Sequence, residues 1–431
     1  MSEFVEQILE KHSPEVVFLI GSGASKGLCN LPTTQDFFKK VGIRPASGWT
    51  FQEMYALEVS AREQGNGEEI SKGLNQIQEI KPESLLENIL ALFQLKNKKE
   101  PDLEEFYTFL LEASQKTIAL LKEADETAFQ WALLNFLSLE LSETQKGKIL
   151  TPFLPKDPVN HSSEQNRLQP YLVAETNIKN ALAWLTEKFY EQFNVKLKNQ
   201  PDKTVPDIPE KILTTYLKLL VKNTYKTIYV FTTNYDNVLD IFFEELNQGY
   251  ADDNIDCQVL DGFSPKWRDF EWNPEAYCAD PHSRKNILYF KMHGSITWIR
   301  KKGEIVRQTN GLPPDDGDAV LVPPLLGKPS LAGEFKFMYQ CFEKALRSTK
   351  KLVIIGQSLR DEEIRNYVKD ALSGGEIKVI AICGSDPKDS VLSKLSQEFH
   401  GRFKLVSGGF PESLETLEKF LHIEEVSGIS G

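Results

Sequence analysis

Three short, nearly continuous apolar runs, Val16 to Ile20, Ile228 to Thr232 and Leu352 to Ile355, constrain the fold of this chain more than any other feature. A strand with one wet face alternates apolar and polar residues, whereas a strand covered on both faces does not. These runs therefore read as buried strands of a parallel sheet. Lys378 to Cys383 is a fourth candidate. Each run is followed by glycine or small polar residues and then by a helix-like pattern, the punctuation of an open α/β fold. Ligands in such folds bind beyond the carboxyl ends of the strands.

The long stretch between the first two runs has a different character. Leu103, Phe106, Tyr107, Leu110, Leu111, Ile118 and Leu121 form a stripe at helical spacing, with Pro101 suited to a first helical position. Ile178, Leu182, Leu185, Phe189 and Phe193 form a second stripe, and Ile212, Tyr216, Leu217, Leu220 and Val221 a third. Helices burying these faces against one another account for the stripes without any cofactor role. Thr151 to Pro170 and Gly311 to Lys328, both rich in proline, read as irregular. The expected fold class is α/β, a Rossmann-like parallel sheet with a large helical insertion: residues 1–45 and 206–431 form the sheet domain and 46–205 the insertion.

Composition narrows the function. With 50 Lys+Arg against 62 Asp+Glu the net charge is −12, which argues against a broad grip on a nucleic-acid backbone, so no direct nucleic-acid binding is expected. The five cysteines, Cys29, Cys257, Cys278, Cys341 and Cys383, are scattered without a C-x-x-C pair. That argues against a disulfide framework or a zinc ribbon, and the histidines show no metal-ligand spacing, so no metal is expected. The N-terminus has no basic segment ahead of an apolar one, and no apolar run approaches the ~20 residues that span a bilayer. A cytoplasmic, non-membrane protein is the expectation.

Five segments carry chemistry. Gly21-Ser22-Gly23-Ala24-Ser25 follows the first run; its glycines permit close approach of an anion such as a pyrophosphate, or form a tight turn only. Thr232-Thr233-Asn234-Tyr235-Asp236 stands between a strand and a helix, where helix capping and function both explain polar residues. His293-Gly294 follows the apolar run Ile287 to Phe290, and His293 reads as structural or as a base. Gly356-Gln357-Ser358-Leu359 precedes a helix starting near Asp361, with Ser358 a cap or a donor to a phosphate or ribose. Asp386, in Cys383-Gly384-Ser385-Asp386-Pro387, belongs to a turn or accepts hydrogen bonds from a ribose.

In this order the segments resemble the motifs of the sirtuin family. Gly21 to Ser25 is similar to its first glycine motif, Thr233-Asn234-Tyr235-Asp236 to its Gln-Asn-Ile-Asp motif, His293-Gly294 to its catalytic His-Gly pair, and Gly356-Gln357-Ser358-Leu359 to its Gly-Thr-Ser-Leu motif. The departures are the missing four-cysteine zinc module and Val320-Leu321-Val322-Pro323-Pro324 in place of a Phe-Gly-Glu peptide-docking strand. A third is Gly27-Leu28-Cys29-Asn30-Leu31-Pro32-Thr33-Thr34 in place of the Gly-Ile-Pro-Asp-Phe-Arg loop. The variant set is closest in appearance to bacterial sirtuin-like effectors of antiphage defence, which hydrolyse NAD.

The resemblance implies NAD as substrate. Asn234 would orient the ribose or a water and His293 would act as general base. Asp236 would hold the nicotinamide carboxamide and Gly21, Gly23, Ala24 and Ser25 the pyrophosphate. Thr233, Gly356, Ser358 and Asp386 complete the expected NAD contacts. The alternatives are an NAD-dependent protein deacylase and a non-catalytic NAD- or ADP-ribose-binding assembly subunit. Expected partners are further copies of the chain, assembled through the insertion, and a separate sensor or helicase-like ATPase subunit.

Overall fold

The computed structural model describes residues 2–33, 36–42, 106, 184–185, 187–195, 208–247, 256–266, 269–281, 283–307, 318–321, 333–384 and 390–422. The chain divides into two compact units, Met1–Thr33 with Tyr190–Gly431, and Thr34–Phe189.

The first unit is built on a seven-stranded parallel sheet. Its strands are β1 (Val16–Ile20), β2 (Thr227–Thr232), β3 (Cys257–Leu260), β6 (Lys285–Lys291), β10 (Lys351–Ile355), β11 (Lys378–Cys383) and β12 (Phe403–Ser407), in the order β12-β11-β10-β1-β2-β6-β3. The runs are continuous because both faces are covered. Val17 and Leu19 of β1 join one core with Tyr229, Phe231, Leu352 and Ile354. Val16, Phe18 and Ile20 join the other with Ile228, Val230, Val353 and Ile355. Each of these side chains is fully buried and contributes about 1.5–3 kcal/mol of apolar transfer.

Helices α1 (Ser2–Lys11), α6 (Gly333–Ser348), α7 (Glu362–Gly374) and α8 (Val391–Glu398) supply the first core. Helices α2 (Ser22–Cys29), α4 (Ile208–Tyr216), α5 (Val238–Asn247) and α9 (Leu414–His422) supply the second. The stripe Ile212, Tyr216, Leu217, Leu220 and Val221 begins on α4 and continues through a π-helical turn, Leu217–Val221. Lys351 donates to the Phe420 and Leu421 carbonyls at the end of α9, where a cation offsets the negative helix terminus.

A five-stranded antiparallel sheet completes this unit: β4 (Phe263–Lys266), β5 (Asp269–Trp272), β8 (Glu304–Arg307), β7 (Gly294–Lys301) and β9 (Asp318–Leu321). It corrects the reading of Gly311 to Lys328 as wholly irregular, since β9 lies inside that stretch and pairs with β7. Val320 is buried in the same core as Trp298 and Ile305, so the strand is held by its apolar contacts despite the flanking prolines.

In the second unit α3 (Phe37–Val41) brings Phe37 and Phe38 into an aromatic cluster. The Phe37 ring lies 6.3 Å from that of Phe189, and Phe38 meets Phe106 edge-on at 5.2 Å. Phe106, Leu185 and Phe189 of the helical stripes are buried. The remaining residues of the first stripe, Ile178 and Leu182 of the second, and the segment Thr151 to Pro170 lie outside the described residues, as does most of the expected insertion 46–205. Among the described residues no helix is long and apolar enough to cross a membrane.

Candidate functional site

From β1 the sheet grows through β2 and β6 on one side and through β10 and β11 on the other, which puts a topological switch point at the carboxyl end of β1. Loops on either side of such a point diverge and leave a crevice. Four of the sequence-selected segments sit at these strand ends: Gly21 to Ser25 after β1, Thr233 to Asp236 after β2, His293 after β6 and Gly356 to Leu359 after β10.

The loops after β1 and β10 interlock through backbone. Gly21 N–H donates to the Ile355 carbonyl at 2.8 Å and Gly23 N–H to the Gly356 carbonyl at 3.0 Å, while Ala24 N–H closes the β1 loop on the Gly21 carbonyl at 3.0 Å. A Cβ on Gly21 would fall 2.5 Å from the Gly356 oxygen, and one on Gly356, whose φ is +63°, would fall 2.3 Å from the Ala24 nitrogen. The glycines are thus required by the approach of one loop to the other. Gly356→Ala is expected to cost about 2–4 kcal/mol, combining left-handed strain with a backbone clash that no rotamer relieves. Urea unfolding of the variant measures it.

Ser25, Asn234 and Asp236 form a buried chain. The Ser25 hydroxyl bonds the Asp236 carboxyl, and Asn234 Nδ2 donates to Ser25 Oγ at 3.0 Å. A hydroxyl has one proton to give, so Ser25 selects the amide orientation that turns Asn234 Nδ2 toward it. Asn234 Oδ1 is buried and has no hydrogen-bond partner among the described residues. Buried polar atoms are normally paired, and such an exception beside the strand ends is one that a donor on a ligand could satisfy. The backbone is fixed too: Thr232 Oγ1 accepts from Asn234 N–H at 3.1 Å and donates to the Ile20 carbonyl at 2.8 Å.

Asp236 accepts from Val238 N–H at 3.1 Å, a capping contact for α5. Burial raises its carboxyl pKa, opposed by the Lys291 charge and the Ser25 hydrogen bond. Lys291, two residues before His293 and given no role by the sequence, is itself buried. Its ammonium donates to the Asp236 carbonyl at 2.6 Å and to Asp240 Oδ2 at 2.8 Å. Tyr289 donates to Asp240 Oδ1 at 3.0 Å and Ser295 to Oδ2 at 3.3 Å.

Thr233 Oγ1 accepts from Gln357 Nε2 at 2.7 Å, while Gln357 Oε1 accepts from the N–H groups of Ser358 and Leu359. Gln357, to which the motif assigns no role of its own, thereby joins the β2 and β10 loops. Ser358 is exposed. The helix that follows is capped by Asp361, whose Oδ1 accepts from Glu363 and Ile364 N–H, so capping is not Ser358's task. Asp386 lies outside the described residues.

His293 is buried between β6 and β7, followed by Gly294 at φ +79°. Its loop is tied to the β2 loop, because Met292 N–H donates to the Thr232 carbonyl and Ile296 N–H to the Tyr235 carbonyl. The Tyr235 ring lies 6.0 Å from the imidazole. His293 Nε2 is 2.9 Å from the Tyr339 hydroxyl and 3.3 Å from Asp361 Oδ2. Neither partner follows from motif spacing.

Beside the site, α5 carries Glu244, whose carboxyl is pushed up to about 7 by burial and by Asp240, with Arg307 opposing. Arg307 pairs with Asp261 and lies over Phe263 and Phe270 at 4.8 and 5.0 Å. An acid whose folded pKa exceeds its unfolded one holds its proton more tightly when folded, so stability falls as pH rises from about 4.5 to 7. Glu244→Gln is therefore expected to raise the unfolding midpoint at pH 8 relative to wild type and to change it little at pH 4. The gain is about 1 kcal/mol after allowing for solvent screening of a partly exposed group. Thermal unfolding at the two pH values checks it.

The same crevice thus gathers an amide with a buried oxygen to satisfy, a histidine held by two oxygens, and loops whose backbones interlock. Among the described residues there is no group of three or more His, Cys, Asp and Glu that could hold a metal ion. Comparison with curated proteins finds no match. The loop after β1 lies outside the residues matched to a family, 229–401, which take in Thr233, Asn234, Asp236, His293, Gly356 and Ser358. Over residues 229–401 the chain is similar to the family described as the SIR2-like domain, a similarity that fits an NAD-dependent activity and accords with the α/β sheet that carries the site.

Proposed function

We propose that the crevice binds NAD and hydrolyses it to ADP-ribose and nicotinamide. The observation that carries this reading is Asn234 Oδ1, buried without a partner among the described residues at the mouth of the switch point. A ribose hydroxyl or an attacking water supplies the missing donor. Cleavage breaks the bond between ribose C1′ and the pyridinium nitrogen, and its electron pair leaves with nicotinamide, which departs neutral. No general acid is required, so the site's task is to hold the ribose and stabilise an oxocarbenium-like transition state. Water oxygen then bonds C1′, and its proton passes to His293.

Asp236 faces the nicotinamide carboxamide in this reading, and its raised pKa suits a carboxyl that meets a neutral ligand. Gly21 and Gly23 N–H groups are taken up by the loop interlock and Ala24 N–H by the Gly21 carbonyl, so in this reading the pyrophosphate meets the Ser22 N–H and the positive dipole end of α2. Ser358, exposed at the other loop, reaches a phosphate or ribose oxygen. The biological role proposed, from the motif resemblance, is an antiphage effector that depletes cellular NAD. Such an enzyme must be silent in a healthy cell, so assembly through 46–205, or a sensor or ATPase partner, would control access. Equal turnover by the isolated chain and its native assembly contradicts that control.

The test is product analysis of NAD incubated with the protein in its native assembly, with and without an acylated peptide. Nicotinamide released without peptide supports hydrolysis; release only with peptide makes the protein a deacylase. NAD bound but recovered intact makes it a binding subunit.

A further inference from the structure

Resting on that reading of the site, we infer that Tyr339 and Asp361 are positioning residues that fix His293 as the Nε2-protonated tautomer, leaving Nδ1 as the basic nitrogen. Three polar groups converge here from three elements: the imidazole from the β6–β7 turn, the phenol from α6, and the carboxylate from the N-terminus of α7. Tyr339 donates to Asp361 Oδ2 at 2.9 Å, and the same Oδ2 lies 3.3 Å from His293 Nε2. The phenol has one proton, and it is committed to the carboxylate. Its oxygen, 2.9 Å from Nε2, can then only accept. A lone pair on Nε2 would face two further lone-pair oxygens, whereas an N–H there satisfies both.

Asp361 is held on both sides. Its Oδ1 accepts from Glu363 N–H at 3.0 Å and Ile364 N–H at 3.2 Å, so the start of α7 clamps one oxygen and aims the other. The positive end of that helix faces Asp361, an arrangement that favours a carboxylate there. Tyr339 stays a phenol, since burial and the adjacent carboxylate both raise its pKa. The loop after β10 therefore reaches the β6 histidine through Asp361. An imidazolium formed when Nδ1 takes a proton is stabilised by the carboxylate behind it, the logic of a histidine oriented by a buried acid.

Asp361→Asn separates this role from a merely structural one. Asparagine is as good a helix cap as aspartate, so α7 keeps its start, while an NH2 replaces Oδ2 and donates toward Nε2. The imidazole must then carry its proton on Nδ1. Nitrogen-15 NMR of histidine-labelled full-length protein, with the His293 signals assigned from His293→Ala, reads the tautomer directly and needs no substrate. The expected result is a protonated Nε2 in wild type and a protonated Nδ1 in Asp361→Asn, with a matching unfolding midpoint. Nicotinamide release should fall ~10²–10⁴-fold in kcat with KM little changed. Tyr339→Phe should keep the wild-type tautomer through Asp361 and lose ~10-fold or less. A wild-type Nδ1–H tautomer, or the same tautomer in wild type and Asp361→Asn, overturns the inference. If neither protein cleaves NAD, the hydrolase reading fails while the tautomer still decides this assignment.

Discussion

His293→Ala is expected to reduce nicotinamide release from NAD by ~10²–10⁴-fold in kcat, the usual contribution of a positioned general base, while NAD binding changes by less than about tenfold. The two effects separate because the leaving nicotinamide needs no acid, and because Asn234, Asp236 and the N-terminus of α2 are assigned to holding the dinucleotide. The imidazole is buried beside Tyr235, Tyr339 and Asp361, so its removal leaves a cavity and two oxygens without their N–H donor. Calorimetric NAD binding alongside turnover distinguishes lost chemistry from a lost fold. A variant that binds NAD as wild type and still turns it over at the wild-type rate removes His293 from the mechanism.

Lys291→Met is expected to lower the free energy of unfolding by about 3–5 kcal/mol, because it strands the Asp240 carboxylate in the interior. Lys291 and Asp240 side chains are 1% and 6% exposed, and the same ammonium holds the Asp236 carbonyl. Tyr289 and Ser295 remain as donors to Asp240 but bring no charge. Lys291→Met combined with Asp240→Asn should recover part of the loss, since a neutral amide is far cheaper to bury than an unpaired carboxylate. Urea unfolding of the two single variants and the pair completes the cycle. Additive losses would mean that the two groups do not interact.

The parts of the fold that could be read from sequence are those where both faces of an element are dry. β1, β2, β10 and β11 contain continuous apolar runs because each apolar side chain in them meets one core or the other. The edge strands β3 and β12 are partly exposed, and the mixed pattern of Phe403–Ser407 gives no run to recognise. The antiparallel sheet is hard to read from sequence for a different reason. Ser295 and Thr297 are polar residues buried in β7, where hydrogen bonds to Asp240 and to each other satisfy them, so polarity and exposure part company.

The site divides in the same way. Backbone-determined positions, Gly21, Gly23 and Gly356, announce themselves because only glycine permits the loop interlock. The Asn234 and His293 segments stand out as polar residues at strand ends. Tyr339 does not, because on α6 it lies in a stripe with Phe335, Met338 and Phe342, and nothing in that stripe says its hydroxyl meets a histidine 46 residues earlier. Asp361 was readable as a helix start, which accounts for only one of its two oxygens. Lys291 ends an apolar run, where a lysine ordinarily snorkels to water; its burial depends on Asp240, which comes from another element.

The most direct measurement of the central claim is a timed assay of the protein in its native assembly with NAD alone, quantifying nicotinamide and ADP-ribose together, beside Asn234→Ala. The account predicts equal amounts of the two products from wild type and a loss of both, by ~10²-fold or more, when the amide that positions ribose or water is removed. Wild-type protein that leaves NAD intact, or an Asn234→Ala variant that turns it over undiminished, would contradict it.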